Sequence, residues 1–343
     1  RLLAILISFC LLFQLPNTVH AAHKLYVTAQ SAVIIDYKSG KILYSKNRNV
    51  RRYPASTLKV LTAMVVLDNA DLNKRFTVSH KASMSPCSKL FLKKGEYYTV
   101  KELVRGLLIS SANDAAVVLA EGVAGSEFAF SRKMNAKARA VGCKNSNFTN
   151  ASGLPDKNQY TTAYDMARIM RAAYKYSFIR KCLQSKYETI QRPSGTRIKL
   201  KNHNKLLWNY PIKVYGKTGY TRAARHCFAT YAKWGHRQVV MVMFKSKSSW
   251  RDIRKLLVHG TGYTAKSKKT VTKIHKNRAR LSKEKILQIQ KALLKAGFDP
   301  GGLDGIFGYK TLNAVMQFQR AHRLSMDGIV GPQTLSKLKY FMR

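Results

Sequence analysis

The order of apolar and polar positions along the chain predicts strands at both ends of a long first region and helices between them. Val27 to Tyr37 is rich in β-branched residues and predicts a strand, with Lys41 to Ser45 as its return across a Tyr37-Lys38-Ser39-Gly40 turn. Helical spacing takes over from Ser56 to Asn69. Thr99 with Glu102 three residues later has the form of a capping box and predicts a helix running towards Ile109. Gly122, Gly125 and Ser126 punctuate the chain before an amphipathic stretch to Ala140, and Thr162 with Asp165 announces another over Met166 to Tyr174. Three strand-like runs follow, Val214 to Thr221, Cys227 to Trp234 and Gln238 to Phe244, and a last helix starts near Ser249. This pattern predicts a mixed α/β domain, with an antiparallel sheet closed by the two chain ends and a helical subdomain inserted between them.

Beyond Gly260 the pattern changes. Residues 261–283 read as a linker, in which Lys and Arg stand among Ser and Thr with few apolar neighbours, a composition that repels itself and stays solvated. Residues 284–343 form a second unit with an internal repeat. Asp304-Gly-Ile-Phe-Gly-Tyr-Lys-Thr-Leu312 returns as Asp327-Gly-Ile-Val-Gly-Pro-Gln-Thr-Leu335, six of nine positions being identical. Each copy offers an Asp-Gly turn and a Thr suited to capping a helix. With Ile286 to Leu294 leading in, the two copies can close a small three-helix core.

Charge and the first residues set the surroundings. Among 343 residues, 62 are Lys or Arg and 16 are Asp or Glu, a formal charge of +46 that is spread along the chain. Such a surface attracts nucleic acid, anionic lipid or an acidic cell wall. Leu2 to Leu15 is an apolar run too short to span a bilayer, and Val19-His20-Ala21 has the small residues of a processing step, so residues 1–21 read as a secretory signal peptide. Export makes nucleic acid an unsuitable partner. It also makes disulfides possible among Cys87, Cys143, Cys182 and Cys227, which allow three pairings that the sequence leaves open.

Three short elements carry candidate chemistry. Ser56-Thr57-Leu58-Lys59 places a hydroxyl and an amine on one face of a helix start, a nucleophile with a base three residues on. A lysine serves as that base if burial or a neighbouring cation lowers its pKa. Ser111-Ala112-Asn113 brings a second hydroxyl and a carboxamide, and Lys217-Thr218-Gly219 lies on a predicted strand whose glycine allows close approach of a ligand. Each alone is weak: Ser282 with Lys285, Ser336 with Lys339 and Ser45 with Asn47 repeat parts of the pattern.

The ordered set resembles the Ser-x-x-Lys, Ser-x-Asn, Lys-Thr-Gly signature of penicillin-binding proteins and class A β-lactamases. The surrounding text, Pro54 to Lys59, Leu108 to Ala115, Ser152-Gly-Leu-Pro-Asp156 with Thr162 to Asp165, and Gly216 to Thr221, is similar to the serine D-alanyl-D-alanine carboxypeptidases over residues 25–260. The tail resembles the peptidoglycan-binding domain attached to wall hydrolases over residues 284–340. The resemblance implies a β-lactamase/transpeptidase-like domain over 22–260 that hydrolyses the terminal D-Ala-D-Ala bond of peptidoglycan stem peptides. β-Lactams would be its covalent inhibitors, and it needs no cofactor and no metal. It also implies roles: Ser56 as nucleophile, Lys59 as general base, and Ser111 relaying a proton to the leaving group. Asn113 would hold the substrate amide, Lys217 and Thr218 would face the terminal carboxylate, and the backbone N–H groups of Ser56 and Tyr220, beside Gly219, would form the oxyanion hole. A substrate peptide could add itself along the 214–221 strand.

The chain departs from the family at Ser152, where a histidine is common, and after Thr221, where Arg222 stands in place of the usual acidic residue with Arg225 close behind; both arginines read as a solvated basic patch. No C-terminal membrane-associating helix is recognisable, so the binding module takes over attachment. Rivals weigh less. A β-lactamase needs a Glu in a Glu-x-x-Leu-Asn setting that Glu121, Glu127 and Glu188 lack, and the nine histidines show no HExxH. A Cys-based L,D-transpeptidase would need a glycine-rich setting around His226-Cys227. A D,D-endopeptidase and a catalytically idle wall-binding protein remain as alternatives.

Overall fold

The computed structural model describes residues 25–210, 212–263, 281–325 and 328–342. The expected signal peptide, the body of the expected linker and Asp327 of the second repeat lie outside these residues.

β1 (Ser31–Asp36) turns back into β2 (Ile42–Lys46). The strand is shorter than the apolar run because Thr28 and Ala29 give their backbone N–H groups to Asp252. A 3-10 turn, Ala55–Leu58, runs directly into α1 (Lys59–Asn69). β3 (Arg75–Thr77), the short α2 (His80–Ser83) and β4 (Tyr97–Thr99) precede α3 (Val100–Ile109), whose capping box between Thr99 and Glu102 is fully formed. α4 (Asn113–Ala124) ends at left-handed Gly125, and Ser126 caps α5 (Glu127–Ala140). α6 (Ala163–Ala173), capped by Thr162, and α7 (Ser177–Gln184) follow, then a hairpin of β5 (Tyr187–Gln191) and β6 (Arg197–Lys201). The short α8 (Leu206–Asn209) leads to β7 (Lys213–Thr221), β8 (Arg225–Trp234), β9 (Arg237–Ser246) and α9 (Ser249–Thr261).

The five long strands make one antiparallel sheet in the order β2-β1-β9-β8-β7, so the two ends of the domain meet at its centre as β1 and β9. Alternate residues of a strand face opposite sides, and here both sides are covered. Val33, Ile35, Val240, Val242 and Phe244 belong to the large core beneath α1, α3, α4 and α6, whereas Ala32, Ile34, Met241, Met243 and Phe228 pack with Ile253, Leu256 and Leu257 of α9. Two buried faces explain why β9 reads as an unbroken apolar run instead of an alternating one. Asp252 pins α9 to the sheet by accepting from Thr28, Ala29 and Ser246.

The four cysteines Cys87, Cys143, Cys182 and Cys227 are free thiols, and Cys87 alone among them is exposed. Burial pushes the Cys182 and Cys227 thiols up to about 12, so both stay protonated and inert.

In the tail, α10 (Lys283–Lys295), α11 (Tyr309–Ala321) and α12 (Pro332–Lys339) enclose Ile289, Leu293, Val315, Phe318 and Leu338. The repeat has a physical meaning that differs from the expected one. Gly308 and Gly331 occupy the N-cap positions, and Thr311 and Thr334 lie in the first turn instead. Each Thr hydroxyl takes a hydrogen bond from a buried amide, Gln290 to Thr311 at 3.2 Å and Gln319 to Thr334 at 3.0 Å. The same two glutamines accept from the turn glycines, Gly305 at 2.9 Å and Gly328 at 2.8 Å. A buried amide so placed satisfies the backbone of a tight turn. Ser282 with Lys285 is a helix cap, the hydroxyl accepting from the Lys285 backbone N–H.

Candidate active site

Ser56 sits in a turn that the chain would not adopt unaided. Ala55 before it has φ +47°, a left-handed conformation disfavoured for a residue with a Cβ. Two glycines make room for that turn. A Cβ on Gly219 of β7 would lie 2.8 Å from the Ser56 backbone nitrogen, and one on Gly153 would lie 2.1 Å from the Ala55 carbonyl oxygen. The glycine of Lys217-Thr218-Gly219 therefore serves contact within the protein, a correction to the expectation that a ligand uses the space.

The spacing of the first motif brings Lys59 Nζ to 2.9 Å from Ser56 Oγ. Lys59 is fully buried, with Asn113 Oδ1 at 2.7 Å and the Ser152 carbonyl oxygen at 2.6 Å. Burial, and then the nearby Lys217 ammonium, hold its pKa well below that of an ordinary lysine. A neutral amine has two N–H bonds and one lone pair. Two carbonyl-type oxygens can only accept, so they take both N–H bonds and turn the lone pair towards the Ser56 hydroxyl. That is the orientation a general base needs.

Ser111 follows α3 with φ +62°. A chain leaving a helix commonly turns through this region on a glycine; a serine here accepts about 1 kcal/mol of strain or more in exchange for a hydroxyl at that point. The Ser111 hydroxyl accepts from Lys217 Nζ at 2.9 Å. Asn113 begins α4 and is held by its loop: its backbone N–H donates to Ser88 O at 2.7 Å and its Nδ2 to Pro86 O at 3.0 Å. With Oδ1 on Lys59, one N–H of its carboxamide is left for a substrate carbonyl.

Lys217 is buried on β7, where its Nζ also donates to the Thr218 carbonyl at 3.1 Å. Burial lowers its pKa to about 7. The sign of the resulting pH effect is definite. Between about pH 7 and the ordinary lysine value of 10.5, the unfolded chain holds a proton that the folded chain does not, so stability rises with pH, by at most about 1.4 kcal/mol per pH unit for one such group. Urea unfolding of the wild type from pH 7 to 9 is expected to show this rise, to which buried Lys59 adds a share of the same sign, and Lys217→Met is expected to reduce the slope without abolishing it; equal slopes for the two proteins would contradict the assignment.

Of the residues expected from the sequence to act together, Ser56, Lys59 and Asn113 meet through hydrogen bonds, and so do Ser111 and Lys217. Thr218 is half-buried beside Lys217, and Tyr220 follows with an exposed ring 4.8 Å from His226. Arg222 and Arg225 are exposed at the β7–β8 turn. Sequence reasoning missed three contributors. Ser152 acts through its main-chain oxygen, so its departure from histidine leaves the Lys59 contact intact. Asp114, completely buried, receives the backbone N–H groups of Leu90, Leu92 and Ala115 and so tethers the loop that holds Asn113. His203, exposed at the surface, lies between Asn202 and Asn204, the latter bound to β7 through the Val214 carbonyl; partial desolvation of the ring, then Lys217 and Lys59, lower its imidazole. Asp114 could have been found as the next residue after Ser-x-Asn; the Ser152 carbonyl leaves no side-chain trace.

Residues 17–248 match the family described as D-alanyl-D-alanine carboxypeptidase, and residues 282–338 match a peptidoglycan binding domain. The chain is similar to the D-alanyl-D-alanine carboxypeptidase DacF of Bacillus subtilis, 39% identical over 222 residues, 63% of this chain and 57% of that protein. It is also similar to DacB2 of Mycobacterium tuberculosis, 36% identical over 217 residues, 63% of this chain and 74% of that protein. The chain thus spans little more than half the length of the Bacillus relative. Among solved structures, a D-alanyl-D-alanine carboxypeptidase of Mycobacterium tuberculosis superposes with TM-score 0.67 at 32% identity, covering 71% of this chain and 96% of that one. The Streptomyces K15 DD-transpeptidase superposes with TM-score 0.64 at 28% identity, covering 68% and 97%.

Proposed function

The chain belongs to the D-alanyl-D-alanine carboxypeptidase family, and from that premise we propose that it hydrolyses the terminal D-Ala-D-Ala bond of peptidoglycan stem peptides through an acyl-enzyme on Ser56. The observation that carries this reading is the Ser56–Lys59 pair, 2.9 Å apart, with both amine N–H bonds taken by Asn113 and Ser152.

Ser56 Oγ attacks the carbonyl carbon of the penultimate D-alanine while its proton passes to Lys59 Nζ. The developing oxyanion takes the backbone N–H groups of Ser56 and Tyr220, fixed donors that need no rearrangement as charge appears. The proton held by Lys59 is relayed through Ser111 to the leaving nitrogen as the C–N bond breaks, and free D-alanine departs. Water then attacks the ester, giving its proton to Lys59, which returns it to Ser56 Oγ as the ester C–O bond breaks, and the shortened peptide leaves with Ser56 restored. Lys217 and Thr218 receive the terminal carboxylate. An arriving carboxylate favours the charged form of Lys217, which in turn keeps the Lys59 amine neutral before the attack. A β-lactam enters the same path by opening its ring amide onto Ser56, and is retained as a stable ester.

We assign residues 1–21 to a signal peptide, 22–260 to the peptidase, 261–283 to a basic linker and 284–343 to a peptidoglycan-binding module, for an exported enzyme working at the cell wall. The module and the positive surface would hold it on the wall. Among the described residues no helix is long and apolar enough to cross a membrane.

The test is release of D-alanine from a soluble stem pentapeptide beside a cross-linked muropeptide dimer. Rapid release from the pentapeptide with slow cleavage of the dimer supports the carboxypeptidase. The reverse ratio would replace it with the endopeptidase, and neither reaction from a protein that binds isolated wall would leave a binding protein alone.

A further inference from the structure

A groove of about 600 Å³ lies where three stretches run on from the catalytic side. Tyr53 leads into the Ser56 turn, Lys157 follows the loop whose Gly153 abuts Ala55, and Ala223 lies in the turn just beyond the strand that carries Lys217. Four cations line it, Arg51, Arg52, Lys157 and Lys245, together with Tyr53 and Tyr160. Among the described residues none of the four forms an ion pair.

The two guanidinium groups are held by neutral partners. Arg51 donates through Nε to Asn145 Oδ1 at 2.7 Å and lies 4.1 Å from the centre of the Tyr160 ring. Arg52 donates through Nε to Ser31 Oγ at 3.1 Å. Both are therefore fixed by the inner nitrogen, and their terminal NH₂ groups have no protein acceptor among the described residues. A planar pair of N–H donors presented in this way matches a carboxylate or phosphate. The nearest acid in sequence, Asp156, accepts from the Asn158 backbone N–H and is not part of the lining. Arg222 and Arg225 flank the lining residues Ala223 and Ala224 and add charge of the same sign. Collecting like charges in one concave surface without a counter-acid is unfavourable unless an anion neutralises them.

We propose that this groove is a second binding site, separate from the Ser56 cleft, for an oxyanion-bearing chain such as the carboxylates or phosphates of an acidic wall polymer. The volume suits a few repeat units. It does not depend on the catalytic reading, since no residue of the Ser56–Lys59 pair lines it.

The test uses the full chain and two probes, tripolyphosphate and a hexaglutamate peptide, in calorimetric titrations at several salt concentrations. Arg51→Gln with Lys157→Gln is expected to weaken binding about tenfold and reduce its salt dependence by about two counterions. Lys74→Gln with Lys101→Gln, which removes the same charge from the β3–α3 region, is expected to change it less than about twofold. Preference for tripolyphosphate points to a phosphate polymer, and preference for hexaglutamate to peptide carboxylates. Equal losses in the two variants, or no binding of either probe by the wild type, overturn the proposal. Lysine acetylation of the wild type gives an answer independent of variant folding: with probe bound, Lys157 and Lys245 should be protected and Lys74 should not, and uniform labelling sinks the groove. Penicillin acylation of Ser56 in the same samples reports separately on the catalytic site.

Discussion

Lys59→Met is expected to slow acylation by penicillin about 10³-fold, within the range that general bases contribute, while the protein stays folded. The serine hydroxyl would remain in its turn but lose the amine it meets, Nζ at 2.9 Å. Methionine fills the buried volume without charge. It strands Asn113 Oδ1 and the Ser152 carbonyl, which lie 2.7 and 2.6 Å from Nζ. Unsatisfied buried acceptors cost about 1–3 kcal/mol each at most, so a modest drop in stability accompanies the loss. The measurement is a second-order rate with a fluorescent penicillin beside a urea unfolding curve. Acylation within threefold of the wild type would remove Lys59 from the role of base and leave Lys217, with its pKa lowered to about 7, as the next candidate.

The second large effect is a backbone one. Gly153→Ala is expected to cost about 3 kcal/mol of stability, from a clash and an unsuitable backbone angle together, and to slow acylation at least about tenfold through displacement of the Ser56 turn. Gly153 has φ +88°, and a Cβ there would meet the Ala55 oxygen at 2.1 Å, the Ala55 carbonyl carbon at 2.5 Å and the Ser56 nitrogen at 3.0 Å. All three are main-chain atoms, which cannot step aside as a side chain does. Gly195→Ala provides the comparison. It has a similar φ of +87° but nothing within 4 Å of the new Cβ, so it carries the angular cost of about 1 kcal/mol without reaching Ser56. Equal effects of the two substitutions on acylation would show that the contact with Ala55 does not hold the nucleophile.

The parts of this architecture that were legible in the sequence share one property: they depend on side chains spaced by a regular element. The sheet could be read because Val33 to Ile35 and Val239 to Phe244 are apolar on both faces, and the capping boxes because Thr99 and Glu102 satisfy each other over a fixed distance. Ser56 and Lys59 meet because three residues make one helical turn. What stayed hidden depends on the main chain or on distant partners. The three-residue strands β3 and β4 are too short for a pattern. The Ser152 oxygen that holds Lys59 is the same atom whatever residue stands there. Asp114 reads as an ordinary acid at a helix start, and only the tertiary fold brings Leu90 and Leu92 to it. The repeat in the tail was visible, but its Thr residues meet Gln290 and Gln319, lying 21 and 15 positions earlier, and spacing of that length carries no local signal.

The central claim is that Ser56 is an acylatable nucleophile, and intact-mass measurement of the purified protein after exposure to penicillin tests it most directly. The account predicts one added penicilloyl mass on the wild type, located on the peptide that contains Ser56, and none on Ser56→Ala. An adduct that persists in Ser56→Ala, or none on a folded wild type, would contradict it.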